Sequence, residues 1–217
     1  MAPFYDNAEP ADCREIWKDL VNGRCKIVAS FATLERAYLA VARTETRRAR
    51  VTGRSLEILE RVLLGNSAKV VAIELGLAHS TISGSLRHSL ETLGLSDPPS
   101  RVPLGLAMLV RAARAQEAGG MQQNRGLLCH GVACDILSAP LRSLEPLLSP
   151  AVRDVAYLHA QGNSHAQIAA RRRTSERTVA NQLAKAFHRL GISGRAGLLG
   201  YLIVAPRAAA RANNASC

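Results

Sequence analysis

Aromatic side chains are scarce in this chain: they make up 4% of its 217 residues, while apolar residues together reach 47%. A β-sandwich built on aromatic pairs is therefore disfavoured, and helices packed through Leu, Val, Ile and Ala are favoured. The length allows one large domain or two small ones. We predict a mainly α-helical fold.

Long hydrophobic runs are also missing. The longest aliphatic cluster, residues 104–110, ends at Arg111 and is far shorter than a membrane span. The first residues are acidic where a secretion signal would be basic, and no apolar segment follows them. We therefore expect a cytoplasmic protein that does not insert into a membrane.

Catalytic and metal-binding sequence patterns are not recognisable. There are no paired carboxylates, no glycine-rich phosphate loop and no nucleophile triad, so we expect neither enzyme activity nor a cofactor. The five cysteines are an odd number at unrelated spacings, which is typical of reduced thiols in the cytoplasm. Cys129, His130 and Cys134 lack a fourth ligand at a suitable spacing, so we predict no metal site.

Basic residues outnumber acidic ones. The net charge is +11 and the isoelectric point is near 10.2. Such a balance predicts a polyanionic partner, with nucleic acid ahead of an anionic membrane surface.

A sequence repeat is the most informative feature. Residues 51–96 align without gaps on residues 148–193, a shift of 97 places, and nine of the 46 positions are identical. A shared Gly-Asn-Ser begins at Gly65 and at Gly162, and a shared Leu-Gly begins at Leu93 and at Leu190. We infer an internal duplication.

Each copy has the pattern of three consecutive helices. Apolar residues recur at helical spacing along the third, over residues 82–93 and 179–190. Predicted N-caps are Thr52, Ser67, Ser149, Ser164 and Ser175, with another near residues 78–80; predicted glycine stops are Gly65, Gly94, Gly162 and Gly191. A short second helix, a tight turn and a longer third helix are typical of a helix-turn-helix.

Both copies resemble the C-terminal DNA-binding domain of LuxR/FixJ-type bacterial transcription regulators. The second copy does so through LSPAVRDVAYLHAQGNSHAQIAARRRTSERTVANQLAKAFHRLGISGRAGLL, and the first through VTGRSLEILERVLLGNSAKVVAIELGLAHSTISGSLRHSLETLGL. The resemblance covers roughly half of the chain. It implies a fourth helix in each copy, starting near Arg101 and Arg195. The whole arrangement is similar to duplicated helix-turn-helix regulators of myxobacteria.

The segments outside the copies complete the predicted domain plan. Residues 1–50 form a helix over 11–21 and a β-hairpin from strands 25–31 and 35–42. Residues 51–114 and 148–206 form the helical units, residues 115–147 a linker with a strand at 132–141, and residues 207–217 a disordered tail. With that strand present, it and the hairpin share one small sheet. The predicted fold is mainly α: two tandem four-helix LuxR-type units preceded by short strands.

The resemblance places DNA contacts on the third helix of each copy. In the second copy Ala180, Asn181 and Ala184 face the groove, while Thr178 and Lys185 face the DNA backbone. Asn181 suits adenine or another base edge, and the alanines offer only apolar contact, such as to a thymine methyl group.

The first copy presents a different surface. Ser83, Gly84 and Arg87 occupy its groove-facing positions, Thr81 corresponds to Thr178 of the second copy, and Arg87 suits guanine.

Charge is distributed unequally between the copies. Residues 51–96 hold four basic and four acidic residues, whereas residues 148–193 hold seven and two, a net +5. We therefore expect the second copy to bind DNA more strongly. Its predicted backbone-contacting arginines are Arg171, Arg172, Arg173, Arg177 and Arg189. Four arginines between residues 43 and 50 offer the first copy a phosphate-binding arm.

Each copy departs from the family pattern at one glycine. Gly76 supplies the glycine of the turn in the first copy, but Arg173 replaces it in the second. That second turn is either built differently or tolerates a strained backbone, at a cost of about 1 kcal/mol. Gly84 weakens the middle of the first copy's third helix by a similar amount, about 1 kcal/mol.

These features predict a bacterial, nucleoid-associated transcriptional regulator whose two units bind double-stranded DNA as an intramolecular pseudo-dimer. The alternative is a protein-interaction module similar to sigma-factor region four, which docks on RNA polymerase or another regulator. At least one copy would then be degenerate for DNA, and Gly84, Ala180 and Ala184 would form a helix–helix contact surface. A degenerate copy could also serve as a dimerisation partner, which leaves a homodimer open.

Overall fold

The computed structural model describes residues 9–45, 49–95, 103–115, 121–129 and 131–203. The predictions for Arg47, Arg48, Arg101 and the tail at 207–217 lie outside these residues. Within them, helices pack around one antiparallel sheet, and no helix is both long and apolar enough to span a bilayer.

The sheet joins segments from two distant parts of the chain. Its strands are β1 (Glu9–Pro10), β2 (Cys25–Ala32), β3 (Arg36–Arg43), β4 (Gln122–Cys129) and β5 (Val132–Pro140), in the order β1-β4-β5-β3-β2. The predicted hairpin is present as β2 and β3, and the predicted strand at 132–141 is present as β5. Because β3 pairs with β5, the expectation of one shared sheet is also met.

Strand β4 lies largely where a linker was expected. Its polar composition was misleading because Gln123 is buried and donates its side-chain amide to Asp135 Oδ2 at 2.9 Å. The Gly126 amide also donates to Asp135, at 3.2 Å, beside the β4 bulge. Polar groups of β4 are thus satisfied by the Asp135 carboxylate on the neighbouring strand β5, which composition alone cannot show.

Nine helices accompany the sheet in the described residues. They are α1 (Cys13–Val21), α2 (Gly53–Leu63), α3 (Ala68–Leu75), α4 (His79–Thr92), α5 (Leu104–Ala115), α6 (Pro150–Ala160), α7 (His165–Arg172), α8 (Glu176–Leu190) and α9 (Gly194–Leu202). Because a five-stranded sheet accompanies these helices, the fold is mixed α and β, which corrects the mainly α prediction.

The structural repeat is longer than the sequence repeat. A shift of 97 residues carries the bounds of β2, α2 and α3 onto those of β4, α6 and α7. Each hairpin also contains a bulge and follows a helix, α1 in one half and α5 in the other. The equivalent strands β3 and β5 are antiparallel neighbours, as expected for halves related by a local two-fold rotation.

Helix α5 belongs to both halves, and this is why the first copy differs from a simple four-helix unit. It contacts α2, but it packs more extensively on α1 and also against β2, β3 and β5. Residues 104–110 are all buried, since a helix that is apolar on every side needs neighbours on every side. In the second copy, α9 packs on α6 and α8.

One hydrophobic core runs from α1 and the sheet into both helical units. At its edge, Trp17 Nε1 donates to the buried Glu60 at 2.9 Å, and Arg114 pairs with the same carboxylate. This arrangement ties α1, α2 and α5 together. At the junction of the units, a Cβ on Gly65 would lie 3.0 Å from Ala196 Cα, so the two segments pack closely there.

Candidate nucleic-acid interface

Helices α7 and α8 form a helix-turn-helix whose ends are set by local sequence. Ser164 and Gln167 form a capping box at the start of α7, and Ser175 accepts from the Thr178 amide at the start of α8. Gly191 ends α8 in the left-handed conformation. The stripe containing Val179 and Leu183 is buried, which leaves the opposite side of α8 facing outward.

Helices α3 and α4 repeat this arrangement with weaker capping. Ser67 accepts from the Val70 amide, but Ala78, at the N-cap of α4, has no side chain that can cap. Ile82 and Leu86 bury the inner stripe of α4. Both predicted third helices are therefore present with the expected face inward.

The turn between the two helices has the same backbone in both copies. Gly76 has φ 63° and ψ 35°, and Arg173 has φ 52° and ψ 49°. The following residue donates its amide to the fifth residue before it in each copy, Leu77 to Ala72 at 2.9 Å and Thr174 to Ala169 at 3.0 Å. The second turn is therefore built like the first, and Arg173 holds a conformation that glycine adopts more easily.

The outward side of α8 matches most of the predicted reading surface. Asn181, Ala184 and Lys185 are exposed, while Ala180 is half-buried. Arg189 is also exposed, and its Nη1 donates to the Leu147 carbonyl at 3.2 Å, so one of its nitrogens is already engaged.

The predicted phosphate-contacting residues divide into two groups. Arg171, Arg173 and Arg177 are exposed around the turn and the start of α8. Arg172 is half-buried and pairs with Asp154 at 2.9 Å, so it forms an ion pair between α7 and α6. Thr178 is exposed but shares a 2.9 Å hydroxyl hydrogen bond with Ser175 at the helix cap.

The first copy also exposes its predicted contact residues, with one exception. Thr81, Gly84 and Arg87 are exposed on α4. Ser83 is half-buried, and its hydroxyl lies 3.0 Å from the His79 carbonyl within the same helix. This internal hydrogen bond makes Ser83 a weaker candidate for a base contact.

The electrostatic difference between the copies extends to the second helix of each. Glu74 of α3 occupies the position that Arg171 occupies in α7, since the two residues are 97 apart. Arg61 bridges Glu57 at 2.8 Å and Glu74 at 2.7 Å, so the Arg61 guanidinium is already paired with two carboxylates. Sequence reasoning did not single out Glu74, although the alignment of the copies contains this charge reversal.

Two half-buried titratable groups, Arg195 and His159, lie inside the second copy. Arg195, at the start of α9, donates Nε and Nη2 to the Ala160 carbonyl at the end of α6, at 3.3 and 3.0 Å. Burial lowers the pKa of Arg195 to about 10, so it remains charged. Burial, together with the Arg195 charge, lowers the pKa of His159 to about 4, so its ring is neutral at physiological pH.

Comparisons of this chain with protein-family models, with curated proteins and with solved structures found no match.

Proposed function

We propose that this protein is a DNA-binding transcriptional regulator with two LuxR-like units, built from α2–α5 and α6–α9. The observation that carries the proposal is the outward side of α8. It presents Asn181, a polar residue suited to base edges, and Arg177 on the same helix is exposed, as are Arg171 at the end of α7 and Arg173 in the turn before α8. A recognition helix needs a side that fits the major groove and flanking groups that neutralise phosphate.

The second unit supplies most of the affinity in this proposal. It has a net +5 charge over residues 148–193, while residues 51–96 are neutral. The predicted groove-facing positions of α8 carry only two alanines and Asn181, so backbone charge dominates over base contacts. The first unit adds Arg87 as its base-reading residue.

The relation between the halves favours one chain acting as a pseudo-dimer. Equivalent strands β3 and β5 pair in antiparallel fashion, as they would across the two-fold axis of a dimer. Two-fold proteins bind half-sites in inverted orientation. Because the reading residues differ between the units, the two half-sites would differ in sequence.

Salt-dependent binding to duplex DNA tests the proposal. Fluorescence anisotropy of a labelled random duplex is measured for the wild type and for R171A/R173A/R177A at several salt concentrations. The triple variant should bind more weakly, and its log–log salt slope should be smaller by about 2 to 3, since each lost phosphate contact removes about 0.9.

A matched variant distinguishes the loss of the proposed phosphate contacts from the loss of net positive charge. R14A/K18A/R125A removes three cations that are exposed on α1 and the sheet, so the net charge changes equally. It should retain nearly the wild-type slope. Equal losses in both triple variants, or no binding by the wild type at low salt, would contradict the proposal and favour the protein-interaction alternative with RNA polymerase or another regulator.

A further inference from the structure

The outward side of α3 differs in chemistry from the same side of α7. Its two central residues are apolar and exposed, Val70 by 42% and Ile73 by 73%. In α7 the corresponding residues are Gln167 and Ala170. Helices α3 and α7 bury the same inner pair of positions, so the divergence is confined to the outward side.

This side of α3 is poorly suited to DNA. The first helix of a helix-turn-helix crosses the sugar–phosphate backbone. There α3 would present two aliphatic side chains and the carboxylate of Glu74, which is 47% exposed even with its Arg61 partner. Exposed aliphatic residues beside one another instead indicate a protein contact.

The spacing of the exposed residues fits a parallel pairing of α3 with itself. Val70 and Ile73 lie three residues apart, as do a and d of a heptad, and the exposed Lys69 and Glu74 then take positions g and e. In a parallel two-fold pair, position g of one helix lies beside position e of the other, five residues on. Lys69 of each chain would therefore meet Glu74 of the other, twice in the symmetric contact.

We propose that α3 is a self-association surface, through which two copies of this chain pair by parallel, two-fold contact of their α3 helices. Charge supports a second copy as the occupant. The chain carries net +11, but residues 51–96 are neutral, so this unit lets two chains meet without bringing their cationic units together. Two eight-residue helices bury less area than a standard interface, so the dimer is weak and reversible.

Sedimentation equilibrium of the full chain without DNA tests the apolar part of this surface. The wild type should show a concentration-dependent monomer–dimer equilibrium. I73E should raise the dimer dissociation constant by about tenfold or more, because it places a charge at the centre of the contact. A170E, at the corresponding position of α7, should leave the constant unchanged. A wild type that is monomeric at every concentration, or equal effects of I73E and A170E, would overturn the proposal.

Charge reversal tests the pairing itself. K69E makes both flanking positions acidic and E74K makes both basic, so each variant should repel its own copy and dissociate about tenfold more readily. An equimolar mixture of the two variants should dimerise, and so should K69E/E74K, because opposite charges again face each other. Thermal unfolding verifies that E74K, which loses its Arg61 partner, remains folded. A mixture that stays monomeric would overturn the parallel pairing. Since no DNA is present, these results do not depend on the proposed DNA binding.

Discussion

Replacement of Arg173 by glycine should stabilise this protein. A non-glycine residue in the left-handed region costs about 1 to 2 kcal/mol, because its Cβ approaches the following carbonyl oxygen. Arg173 has φ 52° and ψ 49°, within that region. Glycine removes the clash, but its greater conformational freedom stabilises the unfolded chain by about 0.5 to 1 kcal/mol. The net gain for R173G should therefore be about 0.5 to 1 kcal/mol.

Thermal and urea unfolding measure this change. For a chain of 217 residues, 1 kcal/mol corresponds to a rise in Tm of about 2 to 4 °C. R173K keeps both the charge and the strained backbone, so its Tm should match that of the wild type. Gly76 provides the reverse test: a Cβ there meets nothing within 4 Å, so G76A should lose about 1 kcal/mol through backbone strain alone.

The same variants separate stability from DNA binding. R173G should bind duplex DNA with a salt slope lower by about 0.9, while R173K should keep the wild-type slope. A Tm of R173G at or below that of the wild type, with R173K unchanged, would refute the strain argument. An unchanged slope for R173G would remove Arg173 from the proposed phosphate contacts.

Three further changes test the interior. The fully buried Ser89 hydroxyl has no hydrogen-bond partner in the described residues, so S89A should raise the free energy of unfolding in urea by about 1 kcal/mol. A186S, at the corresponding buried position of α8, should lower it by a similar amount. E60A leaves the Trp17 indole N–H without its acceptor and should lose about 2 kcal/mol, whereas E60Q, which can still accept, should lose less. Burial lowers the pKa of His159 to about 4, so below about pH 6.5 the unfolded chain takes up a proton that the folded chain does not. Between pH 7 and pH 5 the wild type should therefore lose about 1 kcal/mol more unfolding free energy than H159Q, after solvent screening of this partly exposed ring; an equal loss in both would contradict this assignment.

The helices and the first hairpin were predictable because their signals are local. Periodic apolar residues define α2–α4 and α6–α8 within a few positions, and capping serines mark the starts of α3, α7 and α8. Pro150 lies at the first turn of α6, as its fixed φ allows. The predicted contact residues on α8 came from the family resemblance, and the periodicity indicates only that they point away from the inward stripe. Asn181 and Lys185 are therefore exposed as expected.

The remaining features depend on contacts between distant residues. The polar sequence of β4 is compatible with a loop, and it becomes a strand because β1 and β5 flank it. Likewise, no pattern in the sequence indicates that Arg172 pairs with Asp154 or that Glu60 receives Trp17 from a separate helix. These interactions are set by tertiary packing, which local propensity does not encode.

Hydroxyl-radical footprinting on a duplex selected from a random library tests the central claim most directly. Two units acting as a pseudo-dimer should protect two patches on the same side of the duplex, about 10 base pairs apart, with N181A weakening protection of one patch and R87A that of the other. One bound chain should account for both protected patches. A single protected patch per chain, or no selected site at low salt, would contradict the account.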